Sequence, residues 1–266
     1  MTAEEMHKRG WDGVDVVFVT GDAYIDHPSF AMAILSRVLE AAGYRVGIVS
    51  QPDWRSAAAW KQFGKPRLFY AISAGNMDSM INHYTANRKV RNDDAYSPGG
   101  QIGLRPDRAT LSYCQRAREA FNDVPVIAGG VEASLRRLAH YDYWGDTVRR
   151  SILLDCKADL LVFGMGEEGI VEIARRLDSG QTVRDLRDMR GVTYALGASE
   201  TPPDDALMLP SFEDVRDHKV AFAEATKMIH NETNPYNARS LAQVHDRRTV
   251  VCNRPAFPIS QDSMDT

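Results

Sequence analysis

Val16-Val17-Phe18-Val19-Thr20-Gly21-Asp22-Ala23-Tyr24-Ile25-Asp26-His27 decides how this chain folds. A short β-branched run without polar alternation marks a strand covered on both faces. It empties into a turn of small and acidic residues. Three later stretches repeat the arrangement. Leu68-Phe69-Tyr70-Ala71-Ile72 precedes Ser73-Ala74-Gly75-Asn76-Met77-Asp78, Val126-Ile127-Ala128 precedes Gly129-Gly130-Val131-Glu132, and Leu160-Leu161-Val162-Phe163 precedes Gly164-Met165-Gly166-Glu167-Glu168-Gly169. In a parallel sheet all such loops fall on one edge, where α/β proteins hold ligands.

Helical patterns lie between these runs. Thr2 with Glu5 three residues on reads as a capping box. Pro28 suits a first helical turn, Phe30, Ile34, Leu35, Val38 and Leu39 share one face, and Gly43 is placed to stop that helix. A second strand is expected over 44–50, short helices over 55–63 and 77–87, and a helix over 109–122. Residues 88–107 are polar and rich in Gly, Pro and Asp, hence a long loop. Ile170, Ile173, Ala174 and Leu177 repeat at helical spacing before Gly180. The expectation is an α/β fold with a doubly wound, mostly parallel five-stranded sheet of the flavodoxin or cobalamin-binding type over 1–196. Residues 197–266 are read as a linker and helical lead-in: a helix over 212–231, a shorter one over 238–245, then a strand over 249–253.

The composition is that of a globular chain. Of its 266 residues, 44% are apolar and 26% charged, and the net charge is −4, which gives no general attraction to nucleic acid or anionic membrane. No apolar run approaches the roughly 20 residues that span a bilayer, and the first ten residues lack the apolar stretch of a signal peptide. A cytoplasmic protein is therefore expected. Cys114, Cys156 and Cys252 are far apart, without a Cys-x-x-Cys pair, and read as small buried hydrophobes rather than metal ligands.

Candidate contacts gather on the loop edge. Asp22, Tyr24, Asp26 and His27 read either as ligand contacts or as turn chemistry. Asn76 and Asp78 read most simply as the start of the next helix. Gly129-Gly130 with Glu132 is either a tight turn or a hold for an anionic or ribose-bearing ligand. Gly164-x-Gly166-x-x-Gly169 matches the dinucleotide spacing literally, but it follows the last strand of the series, and Glu167 and Glu168 would repel a pyrophosphate. Arg136 to Arg150, with His140-Tyr141-Asp142-Tyr143-Trp144 at its centre, reads as a docking surface ahead of a nucleic-acid clamp.

Val19-Thr-Gly-Asp-Ala-Tyr-Ile-Asp-His-Pro-Ser-Phe30, Gln51-Pro-Asp-Trp54, Gly75-Asn-Met-Asp-Ser-Met80, Arg105-Pro-Asp-Arg108, Glu132-Ala-Ser-Leu-Arg-Arg137, Ala139-His-Tyr-Asp-Tyr-Trp144 and Val148-Arg-Arg-Ser-Ile152 together resemble the N-terminal region of the YgiQ family of radical SAM proteins. Ala158 to Glu167 also resembles the cobalamin-binding-like domain found ahead of many radical SAM cores. The resemblance implies a 4Fe-4S cluster held by Cys-x-x-x-Cys-x-x-Cys, with S-adenosylmethionine at its open iron, in the full-length protein. That motif lies downstream in the family, so this chain is expected to be an N-terminal portion whose partner is the radical SAM core of the same polypeptide. Its loop edge, namely Asp22, Tyr24, Asp26, His27, Asn76, Asp78, Gly130, Glu132 and Glu167, is then expected to face that core.

One departure bears on cobalamin. Domains that bind it through histidine carry Asp-x-His-x-x-Gly after the first strand, and here Asp22-Ala23-Tyr24 puts tyrosine where histidine would stand. A free-standing cobalamin- or nucleotide-binding module remains the alternative. A hydrolase using His27 with Asp22 or Asp26 ranks last, since no nucleophile stands at a recognisable spacing.

Overall fold

The structure, a computed structural model, describes residues 2–27 and 29–264. In chain order its elements are α1 (Ala3–Lys8), β1 (Val16–Thr20), α2 (Ala31–Ala41), β2 (Val46–Ser50), β3 (Phe69–Ser73), α3 (Ser79–His83), α4 (Ala109–Ala120), β4 (Val126–Gly129) and α5 (Gly130–Leu135). Then follow β5 (His140–Asp142), β6 (Thr147–Arg149), α6 (Ile152–Cys156), β7 (Leu160–Val162), α7 (Glu167–Asp178), β8 (Val192–Ala195), β9 (Leu207–Met208), α8 (Phe212–Asp217), α9 (Lys219–Asn231), β10 (Leu241–His245), β11 (Arg248–Cys252) and α10 (Gln261–Met264). Thr2 and Glu5 do form a reciprocal capping box on α1. The expected first-turn role of Pro28 lies outside the described residues. α2 starts at Ala31 with Phe30 as its cap.

The main sheet has nine strands in the order β2-β1-β3-β4-β7-β8-β11-β10-β9, not the five expected. The five expected strands are neighbours and all run parallel. Beyond β7 the sheet turns antiparallel through β8, β11 and β10. Two features hid the added strands. β8 is short, and β10 buries Gln243 and His245 as deeply as its apolar neighbours. Polar residues inside a doubly covered strand erase both the apolar run and the alternation. Residues 241–245 therefore form a strand where a helix was expected, paired to β11 across a turn in which Asp246 takes a positive φ of 54°. The helix expected over 212–231 breaks at His218, which is extended. The one expected over 77–87 shrinks to α3, because Tyr84 leaves the helix to bridge with Val90.

Side-chain alternation along β1 divides the core. Val17 and Val19 pack on the side of α4 and α6, while Val16 and Phe18 pack on the side of α2 and α7. Each such side chain, fully buried, contributes about 1.5–3 kcal/mol. Residues 207–252 extend the same two layers, with Leu241 and Val250 joining one cluster and Ala242 and Val251 the other.

The antiparallel end also holds a buried histidine, His245 on β10, and the partly buried His140 of β5 lies close enough for its charge to act on it. His245 is 3% exposed, stacks on Phe212 and has no partner for either ring nitrogen. Burial first, then the Arg150 and His140 charges, pulls its pKa down to about 4. Burial likewise lowers His140 to about 4, against the Leu138 carbonyl that accepts from its Nδ1. A histidine whose folded pKa is depressed leaves the unfolded chain holding more protons between the two pKa values. Its contribution to stability is therefore complete above about pH 6.5 and lost as the pH falls toward 4. His245→Phe should remove its share: between about pH 7 and pH 4.5 the unfolding free energy from urea denaturation should fall by a few kcal/mol less than in the unsubstituted chain.

Candidate functional site

The carboxyl ends of β1, β3, β4 and β7 open beneath the first turns of α2 and α7 into a crevice of about 280 Å³. Its floor is apolar, made by Phe18, Ala71, Ile127 and Val162 from the strands and by Met32, Leu35 and Ile170 from the helices. Ser29, Ser73, Asn76 and Glu167 supply its polar side chains, and Gly129, Gly130, Gly164 and Gly166 bring main chain to its wall. Concave apolar sites with a few polar groups are the usual form of a small-molecule site. Gly130 has a φ of +80°, and a Cβ there would stand 2.6 Å from Ser73 Oγ, so only glycine fits that turn.

Three of the expected contacts, Asn76, Gly130 and Glu167, line this crevice. Asp22, Tyr24 and again Asn76 line a smaller recess beside it. Tyr24 is 40% exposed, and its phenol is pushed up by burial and by the hydrogen bond to Asp26. Asp26 lies on the outer surface, where Arg37 bonds it at 2.7 Å and holds its carboxyl low. His27 Nδ1 accepts from the Ser29 amide at 3.1 Å.

Asp78 and Glu132 do not reach the crevice. Asp78 caps α3 through the Met80 and Ile81 amides and forms an ion pair with Arg136. Glu132 is fully buried and accepts from the Ser79 amide at 2.9 Å, the Ser79 hydroxyl at 2.5 Å and the Thr110 amide at 2.9 Å. One carboxylate thus serves the amino ends of α3 and α4 together.

Asp22 is likewise structural. Arg105, with no exposed side-chain surface, donates to Asp22 Oδ1 at 2.6 Å and to Asp94 Oδ2 at 2.9 Å. It also donates to the Ala74 carbonyl at 3.3 Å. Asp94 accepts further from Asn82 Nδ2, the Tyr96 amide and Ser97 Oγ. Burial raises both carboxyls. The donors around Asp94 outweigh that and leave it lowered, whereas Asp22 stays raised despite the Asn76 amide and Arg105. Arg105 and Asp94 had no functional reading from sequence. The signal was present in the composition of 88–107, since a loop that long inside a compact domain needs something to fasten it.

All three cysteines are buried. Among the described residues no group of three His, Cys, Asp or Glu side chains could hold a metal ion. The side chains present do not fit an iron–sulfur cluster, and no step through one is derived for this chain. No helix among the described residues is long and apolar enough to cross a membrane.

An α/β sheet with a crevice at its carboxyl edge is the arrangement in which such folds commonly hold ligands, and the sequence supplies the family. The model of the radical SAM N-terminal family matches residues 1–266, and the chain belongs to that family. It is 53% identical over 266 residues to the UPF0313 protein GSU2873 of Geobacter sulfurreducens, covering all of this chain and 44% of that protein. It is 52% identical over 285 residues to the UPF0313 protein RPA0679 of Rhodopseudomonas palustris, covering 100% of this chain and 42% of the relative. It is 47% identical over 320 residues to the UPF0313 protein YgiQ of Escherichia coli K12, covering 100% and 43%. The chain spans less than half the length of these relatives. Among solved structures, the radical S-adenosylmethionine methyltransferase TsrM of Kitasatospora setae overlaps 67% of this chain and 28% of its own, at 17% identity and a TM-score of 0.45.

Arg105→Met should leave Asp22 and Asp94 buried without their shared cation. Breaking a buried pair in this way costs about 3–5 kcal/mol. Urea denaturation should show a loss of that size, and limited proteolysis should cut within 88–107 faster than in the parent chain.

Proposed function

We propose that this chain is the N-terminal accessory domain of a radical SAM protein, and that its crevice edge faces a catalytic core carried by the rest of the polypeptide. The observation that carries the reading is the path of the last residues. β11 is antiparallel to β8, which is antiparallel to β7, so β11 ends on the crevice edge. The chain then crosses that edge. The Gly191 amide donates to the Arg254 carbonyl at 2.8 Å, Arg190 Nε donates to the Pro255 carbonyl at 2.9 Å, and the Arg190 guanidinium lies 4.1 Å from the Phe257 ring. Ser263 Oγ finally meets Glu168 Oε1 at 3.2 Å, at the start of α7 and beside the crevice mouth. The described chain thus reaches Met264 beside that mouth.

In this reading Asn76, Gly130 and Glu167 face the core. The hairpin of β5 and β6 adds to the docking surface, with Tyr141 and Tyr143 exposed on it and Arg88 stacked 4.7 Å from the Tyr143 ring. Residues 197–266 conduct the chain to the mouth. The core would supply the 4Fe-4S cluster and S-adenosylmethionine, and the protein would work in the cytoplasm.

Anaerobic iron–sulfur reconstitution tests this. The full reading frame should give a brown protein that cleaves S-adenosylmethionine, while the 266-residue chain should take up no stoichiometric iron. A full-length product that stays colourless and leaves S-adenosylmethionine intact would sink the proposal. Gel filtration of the 266-residue chain with hydroxocobalamin separates the alternative, since co-eluting colour would favour a cobalamin module.

A further inference from the structure

We propose that the face formed by residues 84–91 and the β5–β6 hairpin receives an acidic surface of the catalytic core, a proposal that rests on the accessory-domain reading above. Residues 84–91 turn tightly. Tyr84 bridges antiparallel to Val90, the Thr85 amide donates to the Lys89 carbonyl at 2.8 Å, and the Arg88 amide donates to the Thr85 carbonyl at 2.9 Å. Arg88 at the tip takes a positive φ of 59°, where glycine or asparagine would be less strained. The Tyr143 hydroxyl donates to the Ala86 carbonyl at 2.6 Å, and Arg88 lies over the Tyr143 ring, so the two turns form one surface.

That surface carries three cations without an acid. Arg88, Lys89 and Arg91 are exposed, and among the described residues none of them forms an ion pair. Arg91 commits only its Nε, to the Ile81 carbonyl at 2.9 Å. Acids close by are engaged elsewhere: Asp94 holds Arg105, Asp107 takes His83 and Tyr84, and Asp146 takes the Tyr141 hydroxyl. Other exposed arginines of this chain do find acids, as Arg37 finds Asp26 and Arg150 finds Asp155. With 36 acidic residues against 32 Lys and Arg, acids are not scarce. Three like charges left together repel, and carboxylates from outside relieve them. Val90, Tyr141 and Tyr143 are exposed around them, and arginine mixed with tyrosine and apolar surface is the composition of an interface centre. Tyr143 is a poor stacking platform for a nucleic-acid base, because Arg88 already lies over it and Trp144 meets it edge-on. The relatives have room for such a partner, since this chain covers only 42% and 44% of two of them.

Zero-length coupling with a water-soluble carbodiimide, applied to the full reading frame and mapped by mass spectrometry, tests this. Lys89 should couple to carboxylates beyond residue 266. The yield should drop in about 1 M NaCl, where charges are screened beyond about 3 Å. Arg88→Glu combined with Arg91→Glu should lower it about tenfold or more, since facing like charges are strongly disfavoured. Circular dichroism checks that this variant is folded, and if it is not, the salt series alone decides. The proposal is overturned if Lys89 couples to nothing, if it couples only within residues 1–266, or if the yield ignores salt. It is also overturned if a fluorescent decauridylate binds the full-length protein and protects Lys89 from coupling. Iron uptake and S-adenosylmethionine cleavage are separate readouts on the same protein. A brown, active protein whose Lys89 stays uncoupled loses this docking face and keeps the accessory-domain reading.

Discussion

The buried Asp22–Arg105–Asp94 clamp is the constraint on which the crevice edge depends. Arg105 is fully buried, yet it sits on neither a strand nor a helix. It joins the turn after β1 to a loop that otherwise has little regular structure, and its contact with the Ala74 carbonyl includes the turn after β3. Three buried ionised groups would be costly if any one lacked donors or acceptors. Here Asp94 collects bonds from four residues and Asp22 is shared with the Asn76 amide. The network therefore holds one arrangement of the edge in preference to looser ones. Gly75 shows how tight the arrangement is, because a Cβ there would lie 2.1 Å from Asp22 Oδ1.

Much of the parallel half was legible because its strands obey a simple rule. Val16 to Thr20 and Phe69 to Ser73 are covered on both faces and read as continuous apolar or small-residue runs. Of the antiparallel extension, β11 was legible as the strand expected over 249–253, whereas β10 was not, since Gln243 and His245 are buried by tertiary contacts that sequence spacing does not report. Gln243 Oε1 accepts from the Ala139 amide at 2.8 Å, and Gln243 Nε2 donates to the Pro210 carbonyl at 3.0 Å. These partners are remote in the chain, and they turn a polar residue into a core residue. The crevice was half legible. That the loops after β1, β3, β4 and β7 share an edge follows from parallel pairing. Which acidic side chains point outward does not, because each could equally cap a helix or pair with a distant arginine.

The extension also decides what the edge can serve. A sheet that stopped at β7 would leave that strand open and release the chain after α7, on the side away from the crevice. Adding β8, β11 and β10 covers that edge and returns the polypeptide to the carboxyl side through Asn253, whose side-chain amide bonds the Arg187 and Met189 carbonyls at 2.7 Å. The same strands that complete the core thus bring the residues after β11 back to the crevice edge. The neutral buried His245 on β10 makes this half the acid-sensitive one.

The acidic residues of the edge sort by how completely their oxygens are satisfied. Glu132 has three donors, Asp78 has two helix amides and Arg136, and Asp22 has Arg105 and the Asn76 amide. Each is held by the fold, and each is 4% exposed or less. Glu167 differs: its Oε2 is enclosed without a donor, at the wall of a crevice with no cation. Desolvating a carboxylate oxygen without a partner is unfavourable, but Glu167 is only partly buried and opens α7, where the helix dipole favours a carboxylate over glutamine or alanine.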